Sequence, residues 1–216
     1  VNTIRLEGRE KGGDWLPLQN FPDAPPEKIR AQGFNTDADA IARAVREDLG
    51  VELNGARVML LGVGGAGQVA ALKLAAEGVS ELFMINRTAS KAASVAAEIR
   101  RRHPKVRVRL EYPRGEVDLA VNATSLGLAA SDALPLDEKQ FSLRQARAVY
   151  EMIYRPAETP LLEAARAAGC RVANGLGMLL YQGAKALEIW TGQTAPVEVM
   201  RRALEQNVYG NNQSKV

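Results

Sequence analysis

Three glycines, Gly62, Gly64 and Gly67, stand in GxGxxG spacing within "RVMLLGVGGAGQVA", directly after a short apolar run and directly before a helical pattern carrying Val69, Leu72 and Ala76. A turn of that composition can carry a diphosphate. The first glycine permits a tight turn, the second lets the backbone approach a pyrophosphate, and the third lets helix and strand pack closely, while exposed amides at the helix N-terminus favour the anion. The spacing alone is weak. Strand, glycines, helix and a second strand within one unit of about 30 residues point to a dinucleotide fold, against the alternative of a strand-to-helix turn that merely favours glycine.

The second strand of the unit, "ELFMIN", ends in "NRTASK". A site for an unphosphorylated ribose places an acid there, about 20 residues past the glycines. Here the positions are Asn86, Arg87, Thr88 and, one helical turn on, Lys91. An acid would repel a phosphate; these residues attract one. Arg87 can stack on adenine and fork onto a 2′-phosphate, Thr88 can donate a hydroxyl hydrogen bond, and Lys91 adds a point charge. Charge-assisted hydrogen bonds are worth about 1.5–3 kcal/mol each, so two of them suffice for a preference of about a hundredfold. The expected cofactor is NADP. The alternative is a solvated helix start, although cations at a helix N-terminus oppose the macrodipole and need a compensating reason.

These residues need a sheet to hold them. Apolar runs alternate with helical patterns from Ala56 onward: "RVMLLG", a helix to about Glu77, "ELFMIN", a helix from Ser90 to Arg102, "VRVRL", "VDLAVNAT", "AVYEMIY", the helix "TPLLEAARAAG" and "CRVANG". That alternation predicts an α/β fold, a doubly wound parallel sheet with right-handed crossovers and flanking terminal helices. "NTDADAIARAVREDLG" predicts a helix with Asn35 or Thr36 as N-cap, Ile41, Val45 and Leu49 on its apolar face and Gly50 as its stop. "GMLLYQGAKALEIWTG" predicts another, with Leu180, Ala184, Leu187 and Trp190 on one face, and a last helix opens at Pro196. Residues 7–34 carry prolines and glycines without periodicity and read as a long excursion. The expected organisation is 1–34 as the end of one domain plus the excursion, 35–50 as a linking helix, 51–177 as the dinucleotide domain, 178–208 as terminal helices and 209–216 as a frayed tail.

Composition bounds the function. The 216 residues are 46% hydrophobic, enough for a substantial core, and Lys+Arg 28 against Asp+Glu 25 leaves a net charge of only +3. The basic run "IRRRHPKVRVR" (99–109) has no interleaved aromatics, so no nucleic-acid partner is expected. The only histidine, His103, lies in that run, which argues against a histidine-rich metal site or histidine catalysis. A single cysteine, Cys170, rules out an internal disulfide and fits a reducing compartment. No run of about 18 apolar residues and no leader pattern is present, so neither membrane nor export is expected, and the cytoplasm is the default location.

"VNTI" (1–4), "GFNTDADA" (33–40), "VNATSLGL" (121–128), "YRPAETPLL" (154–162) and "NGLGMLLYQGAKALEIWTG" (174–192), with "GVGGAG" and "NRTASK", closely resemble the shikimate dehydrogenase family. The resemblance implies NADP-dependent reduction of 3-dehydroshikimate to shikimate, a step of aromatic amino acid biosynthesis, in a cleft between a substrate domain and a cofactor domain. It implies that Asn2 and Asp37 hydrogen-bond the substrate hydroxyls, with Asp37 beside the reacting centre, and that Gln182 and Tyr154 reach the substrate. Gly64, Gly65 and Ala66 would line the pyrophosphate, Asn122, Ala123 and Thr124 would follow the cofactor across the sheet, and Gly175 and Met178 would approach the nicotinamide. Read as residues alone, Asp37 could equally be a helix-capping acid, Asn2 a strand-end amide and Gln182 a satisfied amide on a packed helix.

The chain also departs from the family pattern. The family's catalytic lysine and serine pair lie upstream of "VNT", and neither is found here; "VNTI" opening on Val1 reads as a last strand of an upstream domain, so a fragment, or fusion or association with an upstream substrate or dehydroquinase domain, is expected. Ala40 replaces a common glycine after "NTD", and Glu151 stands where "D-x-x-Y" is common. The alternatives to a shikimate enzyme are a quinate/shikimate dehydrogenase and a non-catalytic NADP(H)-binding module.

Overall fold

Short, uninterrupted apolar strands bury both faces, and this is what the central strands do in the computed structural model, which describes residues 1–210. Strand β1 (Thr3–Arg9), the two-residue β2 (Leu16–Pro17) and β3 (Lys28–Phe34) form one antiparallel sheet in the order β2-β1-β3. Helix α1 (Thr36–Leu49) follows. Then come β4 (Arg57–Leu61), α2 (Gly65–Ala76), β5 (Glu81–Ile85), α3 (Ala89–Arg102), β6 (Arg107–Arg109), β7 (Leu119–Asn122), β8 (Ala148–Glu151), α4 (Pro160–Ala167), β9 (Arg171–Ala173), α5 (Leu176–Thr191) and α6 (Val197–Tyr209).

Strands β4 to β9 make a six-stranded sheet in the order β6-β5-β4-β7-β8-β9, all neighbours parallel. The order reverses between β4 and β7, the crevice where such sheets bind ligands outside the carboxyl ends of their strands. Alternate residues of β4 feed two cores: Val58 and Leu60 pack with α1, α2, α3 and α5, whereas Met59 and Leu61 pack with α4 and with Leu136, Phe141 and Leu143 of the long β7–β8 connection. The expected doubly wound α/β sheet is therefore present. Among the described residues no helix is long and apolar enough to cross a membrane.

Helix α1 sits where its end signals put it. Asn35 accepts from the Asp37 backbone N–H at 3.1 Å, Asp37 and Asp39 occupy the first turn, and Gly50 ends the helix at φ 59°. Ile41, Val45 and Leu49 are buried, and so are Ala40 and Ala44, small enough for α5 to lie close alongside.

Three expectations need correction. Residues 28–34 are not part of an excursion: they form β3, in register with β1 from Thr3↔Phe34 to Arg9↔Lys28. The alternation is hidden in the sequence because the covered face is polar, with Glu7 buried between Arg5 and Arg30, while Ile4, Leu6 and Ile29 are exposed. Trp15 lies between the Arg9 and Arg30 guanidiniums, 4.8 and 4.3 Å from its ring centre. Leu180 and Ala184 are buried on α5 as expected, but Leu187 is half-buried and Trp190 is 50% exposed, its indole N–H donating to the Ile4 carbonyl at 2.9 Å. The expected frayed tail starts too early: Tyr209 ends α6, and its hydroxyl donates to the Tyr154 carbonyl at 2.7 Å and accepts from Asn174 at 3.0 Å. Positions 211–216 of that expected tail lie outside the described residues.

Ile41 is completely buried where α1 meets the sheet. Ile41→Ala is expected to lower unfolding free energy by about 2–5 kcal/mol in a denaturant titration, through lost transfer energy and the cavity left behind; a loss under about 1 kcal/mol would contradict this packing.

Candidate dinucleotide site

The glycine turn closes on itself as its spacing requires. Gly62 has φ +88°, and its N–H donates to Ile85 O at 2.8 Å. A Cβ on Gly67 would run into the Gly62 carbonyl, and one on Gly62 would lie 2.7 Å from Thr124 Cγ2. Helix α2, strand β4 and the loop after β7 therefore meet without room for side chains. Gly64 and Gly65 differ: an added Cβ at either would meet nothing within 4 Å. The turn presents bare backbone to open space, and no side chain caps α2, so its first amides remain available to an anion.

Beside this turn lies a pocket of about 430 Å³ lined by Gly62, Val63, Gly64, Ile85, Asn86, Arg87, Thr88, Lys91, Ala123, Thr124, Ser125, Leu126 and Pro135. No carboxylate among the described residues lines it. Thr88 is the N-cap of α3, yet its hydroxyl makes no capping bond and the first turn of α3 holds no acid. Arg87, Thr88 and Lys91 are exposed around that open end. The cations oppose the helix dipole with no carboxylate among the described residues in the pocket to compensate, an arrangement that a bound phosphate would complete. Pyrophosphate at the glycine turn and a phosphorylated ribose at α3 both fit these groups.

The structure sorts the expected cofactor residues. Gly62, Gly64, Asn86, Arg87, Thr88, Lys91, Ala123 and Thr124 line the pocket; Gly65 and Ala66 open α2 beside it. Asn86 is not a free ligand, because its Oδ1 accepts from Val63 N at 3.0 Å and its Nδ2 donates to Thr88 O at 2.8 Å, tying the two loops together. Asn122 is fully buried and Gly67 is buried, and neither is among the residues that line the pocket. Gly175 is buried against Met152 and Ile153, and Met178 is half-buried with its N–H on the Tyr150 hydroxyl at 3.3 Å; neither lines the pocket.

On the substrate side, Asn2 Oδ1 accepts from Thr36 N at 3.0 Å and Thr36 Oγ1 at 3.3 Å, which places Asn2 against the start of α1, one residue from Asp37. Its amide nitrogen, the Asp37 carboxylate, the Gln182 amide and the Tyr154 hydroxyl make no hydrogen bond among the described residues, and none of the four lines the dinucleotide pocket. Asp37 and Gln182 are half-buried, and Tyr154 is 41% exposed.

Sequence reasoning misses the groups that hold the wall after β7. Asp132 Oδ2 accepts from Gly127 N at 2.9 Å and Ala129 N at 3.1 Å, and these backbone bonds, that of Gly127 first, hold its carboxyl below the usual range. Glu151 is fully buried beneath the same loop, and burial pushes its carboxyl up. Its position beside the "D-x-x-Y" pattern is the only sequence signal.

Comparisons with known proteins agree with this geometry. The family profile "Shikimate / quinate 5-dehydrogenase" matches residues 43–126 and the profile "Shikimate 5'-dehydrogenase C-terminal domain" matches residues 175–205. The NADP-dependent shikimate dehydrogenase of Methanopyrus kandleri is 37% identical over 189 residues, covering 83% of this chain and 64% of the relative. The shikimate 5-dehydrogenase of Thermus thermophilus, solved with NADP(H) and shikimate, superposes with TM-score 0.70 at 34% identity over 82% of this chain and 64% of that one. The ligand-free 5-ketofructose reductase of Gluconobacter sp. strain CHM43 superposes with TM-score 0.72 at 32% identity, over 82% and 65%. The chain belongs to the shikimate dehydrogenase family, and it spans less than two thirds of the length of these relatives.

A lowered folded-state carboxyl pKa contributes order above the unfolded value and loses it as pH falls through the folded value. The Asp132 bonds to Gly127 and Ala129 are therefore expected to persist from neutral pH to about pH 5 and to be lost only below the ordinary 3.8 of an aspartate. Amide exchange at Gly127 and Ala129, corrected for its intrinsic pH dependence, checks this; protection already gone near about pH 5 would contradict it.

Proposed function

We propose that this chain provides the cofactor-binding part of an NADP-dependent shikimate dehydrogenase, interconverting 3-dehydroshikimate and shikimate in aromatic amino acid biosynthesis. The observation that carries the reading is the uncapped, acid-free start of α3 with Arg87, Thr88 and Lys91 around it, facing the bare glycine turn. Arg87 and Lys91 hold the 2′-phosphate, and Gly64, Gly65 and Ala66 hold the pyrophosphate. Bound there, NADPH supplies a hydride for a substrate ketone. The ketone oxygen also needs a proton, so a positioned acid must stand beside it.

Asp37 has the place for an orienting role. It lies in the first turn of α1, and its carboxylate can orient a lysine through a charge-assisted hydrogen bond. Asn2, fixed by Thr36, keeps its amide nitrogen for a substrate hydroxyl; Gln182 and Tyr154 are proposed as further substrate contacts. The division into 1–34, 35–50, 51–177 and 178–208 belongs to the same proposal, supported by the separate three- and six-stranded sheets. So does a fused or associated upstream unit: a substrate-binding domain as the source of the lysine, which the greater length of the relatives supports, or a dehydroquinase domain as a fusion partner. The proposed location is the cytoplasm, in keeping with the single, unpaired Cys170.

A second reading keeps the cofactor site and changes the substrate. Quinate stands in the matching profile's description, and a ketose reductase is among the structural relatives, so the polyol is the open variable.

Turnover by the full-length polypeptide tests the proposal. NADP-linked oxidation of shikimate, faster than that of quinate, is the expected result; oxidation of neither, with NADP still bound, would leave a non-catalytic NADP(H)-binding module. Arg87→Asp removes a charge-assisted pair and adds repulsion, so the ratio of NADP to NAD affinity is expected to fall by about a hundredfold or more. An unchanged ratio would remove Arg87 from the site.

A further inference from the structure

The loop after β7 lines the dinucleotide pocket, and one buried side chain joins it to the loop after β8. Glu151, at the end of β8, is fully buried. Asn122 Nδ2 donates to Glu151 Oε1 at 3.0 Å and Oε2 at 2.9 Å, Ile153 N to Oε1 at 3.1 Å, and Thr159 Oγ1 to Oε2 at 3.3 Å. All these partners are neutral donors. They call for an acceptor at both oxygens, which a carboxyl group offers and an amide, with one oxygen replaced by a donor, does not.

The consequences reach the pocket through Asn122. With Nδ2 turned to Glu151 and to Leu126 O at 3.0 Å, Asn122 Oδ1 faces the other way and accepts from Thr124 N at 3.0 Å and Thr124 Oγ1 at 2.8 Å. Thr124 Oγ1 accepts in turn from Leu126 N at 3.1 Å. Ala123, Thr124, Ser125 and Leu126 are the pocket wall opposite Arg87, and Thr124 is the residue that presses on Gly62. A second arm runs through Ile153, whose carbonyl accepts from Gly175 N at 3.1 Å at the start of α5.

We propose that Glu151 is a positioning residue for the cofactor pocket: its carboxylate fixes the orientation of the Asn122 amide and so the wall formed by residues 123–126. The inference rests on the dinucleotide reading of this pocket. The wall lies away from the phosphate-selecting end, so Glu151 acts on the part of the site that phosphorylated and unphosphorylated cofactors share.

Dissociation constants for NADP and NAD, each measured on folded protein checked by thermal melting, test the assignment. Glu151→Gln turns a donor toward the Asn122 amide and is expected to weaken both cofactors by a similar factor of about ten, the worth of one hydrogen bond to a charged group. Glu151→Asp keeps two acceptors and is expected to stay within about threefold of the parent protein, a fraction of such a bond. Should Glu151→Gln alone not fold, Asn122→Asp, which sets carboxylate against carboxylate, is compared with the double variant E151Q/N122D, in which the pair is exchanged and the introduced amide can donate to the introduced carboxylate. The double variant must bind both cofactors better than Asn122→Asp alone. Unchanged binding in Glu151→Gln, or equal losses in Glu151→Asp and Glu151→Gln, assigns Glu151 to packing and overturns the proposal. Loss of NADP alone would also overturn it, because that pattern belongs to Arg87. Failure of the parent protein to bind either dinucleotide would overturn the reading of the pocket and the assignment with it.

Discussion

Helix α2 reaches strand β4 only because Gly67 has no side chain to meet the Gly62 carbonyl. That contact decides where everything else can stand. It brings the N-terminus of α2 to the edge of the parallel sheet, beside the reversal of strand order between β4 and β7. It leaves Gly62 so close to Ala123 and Thr124 that the loop after β7 becomes the opposite wall of the same pocket. The bare backbone of Gly64 and Gly65 is then the surface presented at the helix end.

Two asparagines and two carboxylates turn that contact into a fixed shape. Asn86 follows β5 and Asn122 ends β7, and each accepts a backbone N–H on one side of its amide while donating to a backbone carbonyl on the other. Asp132 and Glu151 hold the β7 loop from opposite environments. Asp132 stands at the surface and gathers backbone donors, which lowers its carboxyl pKa; Glu151 lies under the loop, where burial outweighs its donors and raises it. The cationic positions Arg87 and Lys91 are the contrast, since among the described residues no carboxylate lines the pocket that they face. A site whose walls are satisfied internally and whose cations are not is prepared for one more anion.

The local signals are legible in the sequence. Helix α1 announces its cap, face and stop within the stretch 35–50, and the β4–α2–β5 unit follows from periodicity and glycine spacing, because each depends on neighbours a few positions apart. Strand β3 does not, because its partner β1 lies across the connection at 10–27 and the face they bury is an ion-paired one around Glu7. Trp190 reads as a core residue by spacing, yet its indole N–H is used on Ile4, far away in sequence. Family resemblance draws Asn86 and Asn122 to the site, but their roles are not visible in it, because the groups that occupy their amides come from other loops. Glu151 stands out in the sequence only as a departure from pattern; its meaning needs the two loops, after β7 and β8, that meet on it.

The most direct measurement is the ionisation of the 2′-phosphate of NADP bound to this chain, followed by phosphorus NMR across pH. A phosphate monoester takes up its second proton near about pH 6 in water. Held by Arg87 and Lys91 at the open N-terminus of α3, it is predicted to stay doubly ionised to lower pH, so its titration midpoint moves down relative to free NADP. A bound phosphate that titrates as it does in free solution would contradict the account.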